Sequence, residues 1–230
     1  MTKISVIIPV YNAQKTINQC LRSIFNQTFK DFEVIVVNDG STDSSWSILE
    51  SWQDKIKIFN QENKGAPAAR NFGFEKSSGE YIIFCDADII MKPTMLEKMS
   101  WVLDKDKDLA YVYSSFKFGW KTFKLWPFDL AKLKQMPYIP TTSLIRRNYF
   151  SGFDQSLKKF QDWDLWLTIS EKGGKGIWLN EILFLAVSGG TMSNWFPKIF
   201  FYLPLQPKKI KKEIEKFNSA KEIIKNKHGI

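Results

Sequence analysis

Within the first hundred residues, short β-rich runs alternate with stretches of helical spacing, and this alternation constrains the fold more than any other feature. Ile4–Val10 is a nearly continuous apolar run, after which Ile17, Leu21, Ile24 and Phe25 recur at helical spacing. Phe32–Val37 reads as a second strand, and "NDGSTDSS" behind it is rich in turn and N-cap residues. Ser45–Trp52 suits a second helix, Ile56–Phe59 a third strand, and Ala66–Lys76 a third helix with Pro67 in its first turn. Tyr81–Cys85 is a fourth strand, and Pro93 opens a helix through Leu103. Strands apolar on both faces and alternating with helices predict a parallel sheet covered on both sides.

Beyond Leu109 the rhythm changes. Ala110–Phe118 reads as a strand, followed by the aromatic, lysine-rich stretch "FKFGWKTFKLWPF". A loop with Pro137 and Pro140 leads to Leu144–Arg146, "FQDWDLWLTIS" reads as a helix start, and Ile177–Val187 supplies further strand. Neither an internal repeat nor a low-complexity linker interrupts the chain. The expectation is one α/β domain over residues 1–194, followed by a basic amphipathic C-terminal extension over 195–230.

Several function classes are excluded by composition. The single histidine, His228, is the third residue from the end of the sequence, which removes Ser-His-Asp triads, histidine zinc sites and histidine acid–base catalysis. Cys20 and Cys85 lie in apolar runs far apart in sequence, as expected of two buried thiols in a reducing cytoplasm rather than of a disulfide framework. The chain starts without a signal-peptide pattern, and no run reaches the roughly 18 apolar residues that span a bilayer. The net charge is +9, but eight lysines and three glutamates between Pro207 and Ile230 supply over half of it. A nucleic-acid partner for the whole protein is therefore not expected.

Ligands of open α/β sheets bind outside the carboxyl ends of the strands. Four strands here end in polar or conformationally special residues: Pro9, Tyr11 and Asn12; Asn38, Asp39 and Gly40; Asn60, Gln61, Asn63, Lys64 and Gly65; Asp86 and Asp88. Residues scattered in sequence thus converge on one rim. The glycine fingerprints of dinucleotide and P-loop sites are absent, so a nucleotide's phosphates would need a metal or an arginine. Asp86 and Asp88 stand at i and i+2, on one face if the strand persists, and their oxygens suit Mg²⁺ or Mn²⁺. Arg70 could add a charge-assisted contact to the same anion. The plain alternative makes the two aspartates caps of the following turn.

"VIIPVYNAQKTI", "VIVVNDGSTDSS", "NKGAPAARNFGFEKSSGEYIIFCDAD" and "FQDWDLWL" resemble, in order and spacing, the family-2 glycosyltransferases of GT-A fold, over roughly residues 3–190. The resemblance implies a Rossmann-like, mostly parallel sheet flanked by helices, with residues 1–109 as nucleotide half and 110–194 as acceptor half. It implies an inverting transfer from a nucleotide-diphosphate sugar, most often a UDP-sugar, with Mn²⁺ or Mg²⁺. Pro9 and Tyr11 would line the base pocket, Asp39 would bind the base edge, and Arg70 and Ala87 would sit at the nucleotide. Asp86 would reach ribose or metal, Asp88 would ligate the metal, and Asp162 would be the catalytic base, with Asp164 its weaker competitor. Trp163 and Trp166 are expected to pack rather than stack on sugar. Three residues depart from the family pattern: Gln161 where a glutamate is usual, Ser188 near a usual histidine, and Ile89 after Asp88.

The tail, "WFPKIFFYLPLQPKKIKKEIEKFNSAKEII", joins aromatics to lysines, with Ile210, Ile214, Phe217 and Ile224 near helical spacing. It suits a helix lying on an anionic membrane surface, or a helix packed on the body. The expected acceptor is a saccharide or lipid-linked hydroxyl, in cell-surface polysaccharide or glycolipid synthesis, and the expected location is cytoplasmic, peripheral on the inner membrane face. Two competing readings are a polyprenyl-phosphate sugar synthase, whose ionised acceptor needs no base, and a non-catalytic nucleotide- or nucleic-acid-binding relative.

Overall fold

The computed structural model describes residues 2–187 and 208–230. In chain order the elements are β1 (Ile4–Val10), α1 (Ile17–Phe25), β2 (Phe32–Asp39), α2 (Ser45–Glu50), β3 (Lys57–Gln61), α3 (Ala66–Glu75) and β4 (Tyr81–Phe84). They continue with β5 (Ile89–Met91), α4 (Met95–Lys105), β6 (Leu109–Phe118), β7 (Lys121–Phe123), α5 (Leu130–Gln135), β8 (Leu144–Arg146), α6 (Gln161–Glu171), β9 (Lys175–Ala186) and α7 (Lys208–His228). Among the described residues one sheet runs β3-β2-β1-β4-β8-β6-β9-β5, with β7 paired to β6. The first four of these are parallel, as the alternation predicts. The second half departs from that simple rule: β8 runs antiparallel to both β4 and β6, and β5 antiparallel to β9. Those strands are only three residues long, so their orientation leaves little periodic signal.

Each strand has two faces, and the sheet accordingly carries two cores. Ile4, Val6, Ile8 and Val10 of β1 pack with Ile17, Leu21 and Ile24 of α1 and with Met95, Leu96, Met99 and Leu103 of α4. Ile7, pointing the other way, joins Ile82 and Phe84 of β4, Tyr111 and Tyr113 of β6, and Trp163 and Trp166 of α6. On that second face α3 comes so close that a Cβ on Gly73 would sit 2.5 Å from Ile7 Cγ2 and 3.3 Å from Val37 Cγ2. Trp163 and Trp166 are fully buried, and their indole N–H groups donate to Leu133 O and Ile139 O, so both are packing residues. Cys20 and Cys85, remote in sequence, are buried neighbours with sulfurs 3.8 Å apart.

The C-terminal helix docks on the body. Ile224 of α7 is fully buried in the α6 core, and His228 sets Nε2 2.9 Å from Asp164 Oδ1 and Nδ1 2.6 Å from Glu171 Oε1. Lys227 adds ion pairs to Asp164 and Asp154 at 2.8 and 2.7 Å. The stripe expected to meet a membrane thus spends Ile224 against α6. Ser188 and the aromatic run 195–203 lie outside the described residues. No helix of the described residues is long and apolar enough to cross a membrane.

Candidate active site

The carboxyl ends of β1, β2 and β4 border a cavity of about 490 Å³, lined by Pro9, Tyr11, Asp39, Arg70, Asp86, Ala87 and Asp88 among others. All the nucleotide and metal candidates read from the sequence therefore meet on one surface. Asp162 is not itself on the lining, whereas its neighbour Gln161 is.

The rim is built by loops that bond to each other. Asp39, at the end of β2, accepts from Gln61 Nε2 at 2.7 Å and from the backbone N–H groups of Lys64 and Gly65 at 2.8 and 2.9 Å. One carboxylate thereby ties β2 to the segment that starts α3, while still bordering the cavity. Gly40 follows with φ +72, and a Cβ there would lie 2.9 Å from the Asn63 nitrogen, so glycine is required at that turn. Asn12, left-handed at φ 49, accepts from Thr42 N through its side-chain oxygen at 2.8 Å. The first two rim loops are thereby locked together.

Arg70 projects from α3 beneath this rim. Its Nη2 donates to Asp86 Oδ1 at 2.6 Å, and the guanidinium lies over the Phe153 ring at 5.3 Å. The residue is 7% exposed, and its Nε has no hydrogen-bond partner among the described residues. β4 ends at Phe84, so Asp86 and Asp88 do not share a strand face as their spacing allowed; they sit in a turn in which Ile89 N donates to Asp86 O at 3.0 Å. The turn separates their roles. Asp86 holds Arg70, whereas Asp88, 6% exposed, pairs with no cation among the described residues. Burial, reinforced by repulsion from Asp86, pushes its carboxyl up to about 6. Ile89 is buried and begins β5, so an acid at that position would face the core rather than a ligand.

Asp162 opens α6, where Trp163 N donates to its Oδ1 at 2.9 Å. Burial raises its pKa; the hydrogen bond and the nearby Arg70 charge oppose that rise, and Asp86 adds to it. These couplings put Asp162 in the same electrostatic neighbourhood as the Arg70–Asp86 pair. Phe160, the N-cap of α6, holds a left-handed φ of 61 that costs on the order of 1 kcal/mol. Its ring is fixed against Trp163 and Phe217, which keeps the start of α6 in place. Asp164, by contrast, is buried and spent on Lys227 and His228. Gln161 donates to Leu157 O at 2.7 Å and supplies no acidic neighbour to Asp162.

Lys15 and Lys158 also line the cavity, although neither belongs to the polar residues that end the strands. Lys158 lies in "LKKF", directly before the α6 acid pair, and that juxtaposition was the available signal. Together with Arg70, which pairs with Asp86, these lysines add positive charge to the same cavity lining that holds the carboxylates.

The glycosyl transferase family 2 model matches residues 5–161. Among curated proteins the chain is similar to the uncharacterized glycosyltransferase YibD of Escherichia coli (strain K12), 42% identical over 112 residues, 47% of this chain and 33% of that one. It is similar to glycosyltransferase GlyG of Streptococcus pneumoniae serotype 4, 40% identical over 46% of this chain and 37% of that one. An uncharacterized glycosyltransferase of Rickettsia conorii, RC0461, is 30% identical over 83% of this chain and 34% of its own length. The chain thus spans about a third of the length of these relatives. Among solved structures, S. aureus TarS 1-349 in complex with UDP superposes with a TM-score of 0.72 at 23% identity, over 80% of this chain and 60% of that one. The mannosyltransferase PcManGT from Pyrobaculum calidifontis, in complex with GDP-Man and Mn²⁺, gives 0.64 at 18% identity, over 84% and 59%. At these identities the likeness establishes the GT-A fold.

Proposed function

This chain belongs to glycosyl transferase family 2, and from that premise we propose that it moves a sugar from a nucleotide-diphosphate sugar, a UDP-sugar, to a saccharide or glycolipid hydroxyl with inversion. The observation that carries the reading is the meeting, at one cavity, of an unpaired buried carboxylate, Asp88, with the Arg70–Asp86 pair and the start of α6. UDP in TarS and GDP-Man in PcManGT, each on this fold, support a nucleotide-sugar donor.

The residues fit a divalent cation. No group of three or more metal-ligating side chains exists among the described residues, but Mg²⁺ and Mn²⁺ take one or two carboxylates and complete their shell with substrate phosphates and water. Asp88, a desolvated carboxylate without a counter-ion, and the hard oxygens of Asp86 supply that donor set. When bound, the cation neutralises charge developing on the diphosphate. The protein does the rest. Pro9 and Tyr11 flank the base, Asp39 meets the base edge while its bonds to Gln61, Lys64 and Gly65 hold the loop beside it, and Ala87 sits at the nucleotide. Arg70 positions Asp86 and sets the local field. Asp162 takes the proton from the acceptor hydroxyl as that oxygen bonds to the anomeric carbon and the carbon–diphosphate bond breaks on the opposite face. Its raised pKa makes it a stronger base than an exposed aspartate.

A lipid-linked acceptor in cell-surface polysaccharide or glycolipid synthesis would place this chemistry at the cytoplasmic face of a membrane. A thermal-shift screen of nucleotide sugars with and without Mn²⁺ tests the donor site. The expected result is Mn²⁺-dependent stabilisation of the wild type by a UDP-sugar, lost in Asp88→Ala; an equal response from that variant contradicts the assignment.

A further inference from the structure

The chain between Phe116 and Met136 carries a surface for which the donor site has no use. β6 continues past the core, turns at Gly119 and Trp120, returns as β7 and leads into α5. The hairpin's other aromatics are tucked in: Phe116 stacks on Phe123 and Phe184 with centroids 4.9 and 5.1 Å apart. Trp120, at the tip, is 94% exposed. Leu130 and Met136, at the two ends of α5, are 41% and 46% exposed although Leu133 between them is buried. This one stretch holds five lysines against a single acid, Asp129. Lys117, Lys124, Lys132 and Lys134 are all exposed.

An indole left in water forgoes the burial that tryptophan normally supplies to a fold, so Trp120, 94% exposed, adds little burial to the core. Its chemistry suits the headgroup layer of a bilayer, where an amphipathic ring settles and lysines meet anionic lipid. Lysine stems lie along apolar surface while their ammonium groups stay wet, so the lysines beside exposed Leu130 and Met136 are compatible with contact to a headgroup layer. α7, although basic, is less well equipped: Ile224 is committed to the α6 core and Lys227 and His228 to ion pairs.

We propose that the β6–β7 hairpin together with α5 is the surface by which this chain rests on an anionic lipid bilayer, with Trp120 at headgroup level and Lys117, Lys124, Lys132 and Lys134 against the lipid phosphates. The proposal rests on the lipid-acceptor reading and locates it on the acceptor half of the domain.

Co-sedimentation of the full chain with vesicles tests it, comparing phosphatidylcholine alone with phosphatidylcholine mixed with phosphatidylglycerol. The wild type is expected to bind the anionic vesicles and to be released by salt. Each lysine near the surface is worth about a five-fold change in partitioning, so joint Lys117→Glu and Lys124→Glu should lower binding at least ~20-fold. Trp120→Ala should lower it as well, while both variants keep the nucleotide-sugar thermal shift of the wild type. If the wild type ignores anionic vesicles, the membrane reading and the proposal fall together. If it binds but only Lys211→Glu with Lys212→Glu on α7 releases it, the membrane reading stands and the hairpin proposal is overturned. If the hairpin variants abolish self-association rather than lipid binding, the face is a protein contact and the proposal is likewise wrong.

Discussion

Arg70 and Asp86 are joined by a 2.6 Å hydrogen-bonded ion pair that links α3 to the turn after β4, with the arginine buried and the aspartate open to the cavity. Removing the arginine leaves Asp86 beside the already desolvated Asp88 with no positive partner. Arg70→Met should cost ~2 kcal/mol, below the usual loss for a fully buried pair because Asp86 is partly solvated, and should weaken donor binding. Urea unfolding of the variant and calorimetric titration with UDP check both effects.

The close seat of α3 depends on one missing atom. Gly73→Ala would drive a Cβ to 2.5 Å from Ile7 Cγ2, and the buried sheet leaves that methyl little room to move. A destabilisation of ~1–3 kcal/mol is expected from overpacking. A lowered denaturation midpoint with unchanged m-value would show it.

Glu33 ties the opposite edge of the sheet. It is desolvated, but bonds from Lys57 Nζ, Ser5 Oγ and both Ser78 donors outweigh that and hold its carboxyl down at about 2. Its folded pKa lies below the ordinary 4.5, so its stabilisation is complete above that value and is lost as pH falls towards about 2. Glu33→Gln should therefore lower stability at neutral pH and flatten the acid limb of the stability curve. Denaturant midpoints at neutral pH and near the folded pKa test this.

The rim was legible because apolar strands announce themselves and their carboxyl ends must lie together; Pro9, Asp39 and Asp88 follow from that geometry alone. The antiparallel entry of β8 was not legible, since three residues carry no period. Nor was the turn that parts Asp86 from Asp88, because "CDAD" continues an apolar run as naturally as it ends one. The docking of α7 depends on Asp164 meeting His228, 64 residues away, and no local pattern encodes such a pair. The positive φ of Phe160 is equally silent, since phenylalanine does not advertise a left-handed backbone.

Two aspartates two residues apart should behave oppositely. Asp164→Asn removes the negative charge that pairs with Lys227 and faces His228, so it should loosen α7 and lower stability while transfer at saturating donor changes little. Hydrogen exchange along residues 211–230, compared between wild type and variant, reads that loosening directly.

The most direct test of the account is the transfer rate of Asp162→Asn at saturating donor, once a donor and acceptor are in hand. Loss of a general base should lower the rate by about 10²–10⁴-fold while UDP affinity stays at the wild-type value. Undiminished transfer would contradict Asp162 as the base and favour an acceptor, such as a polyprenyl phosphate, that arrives already ionised.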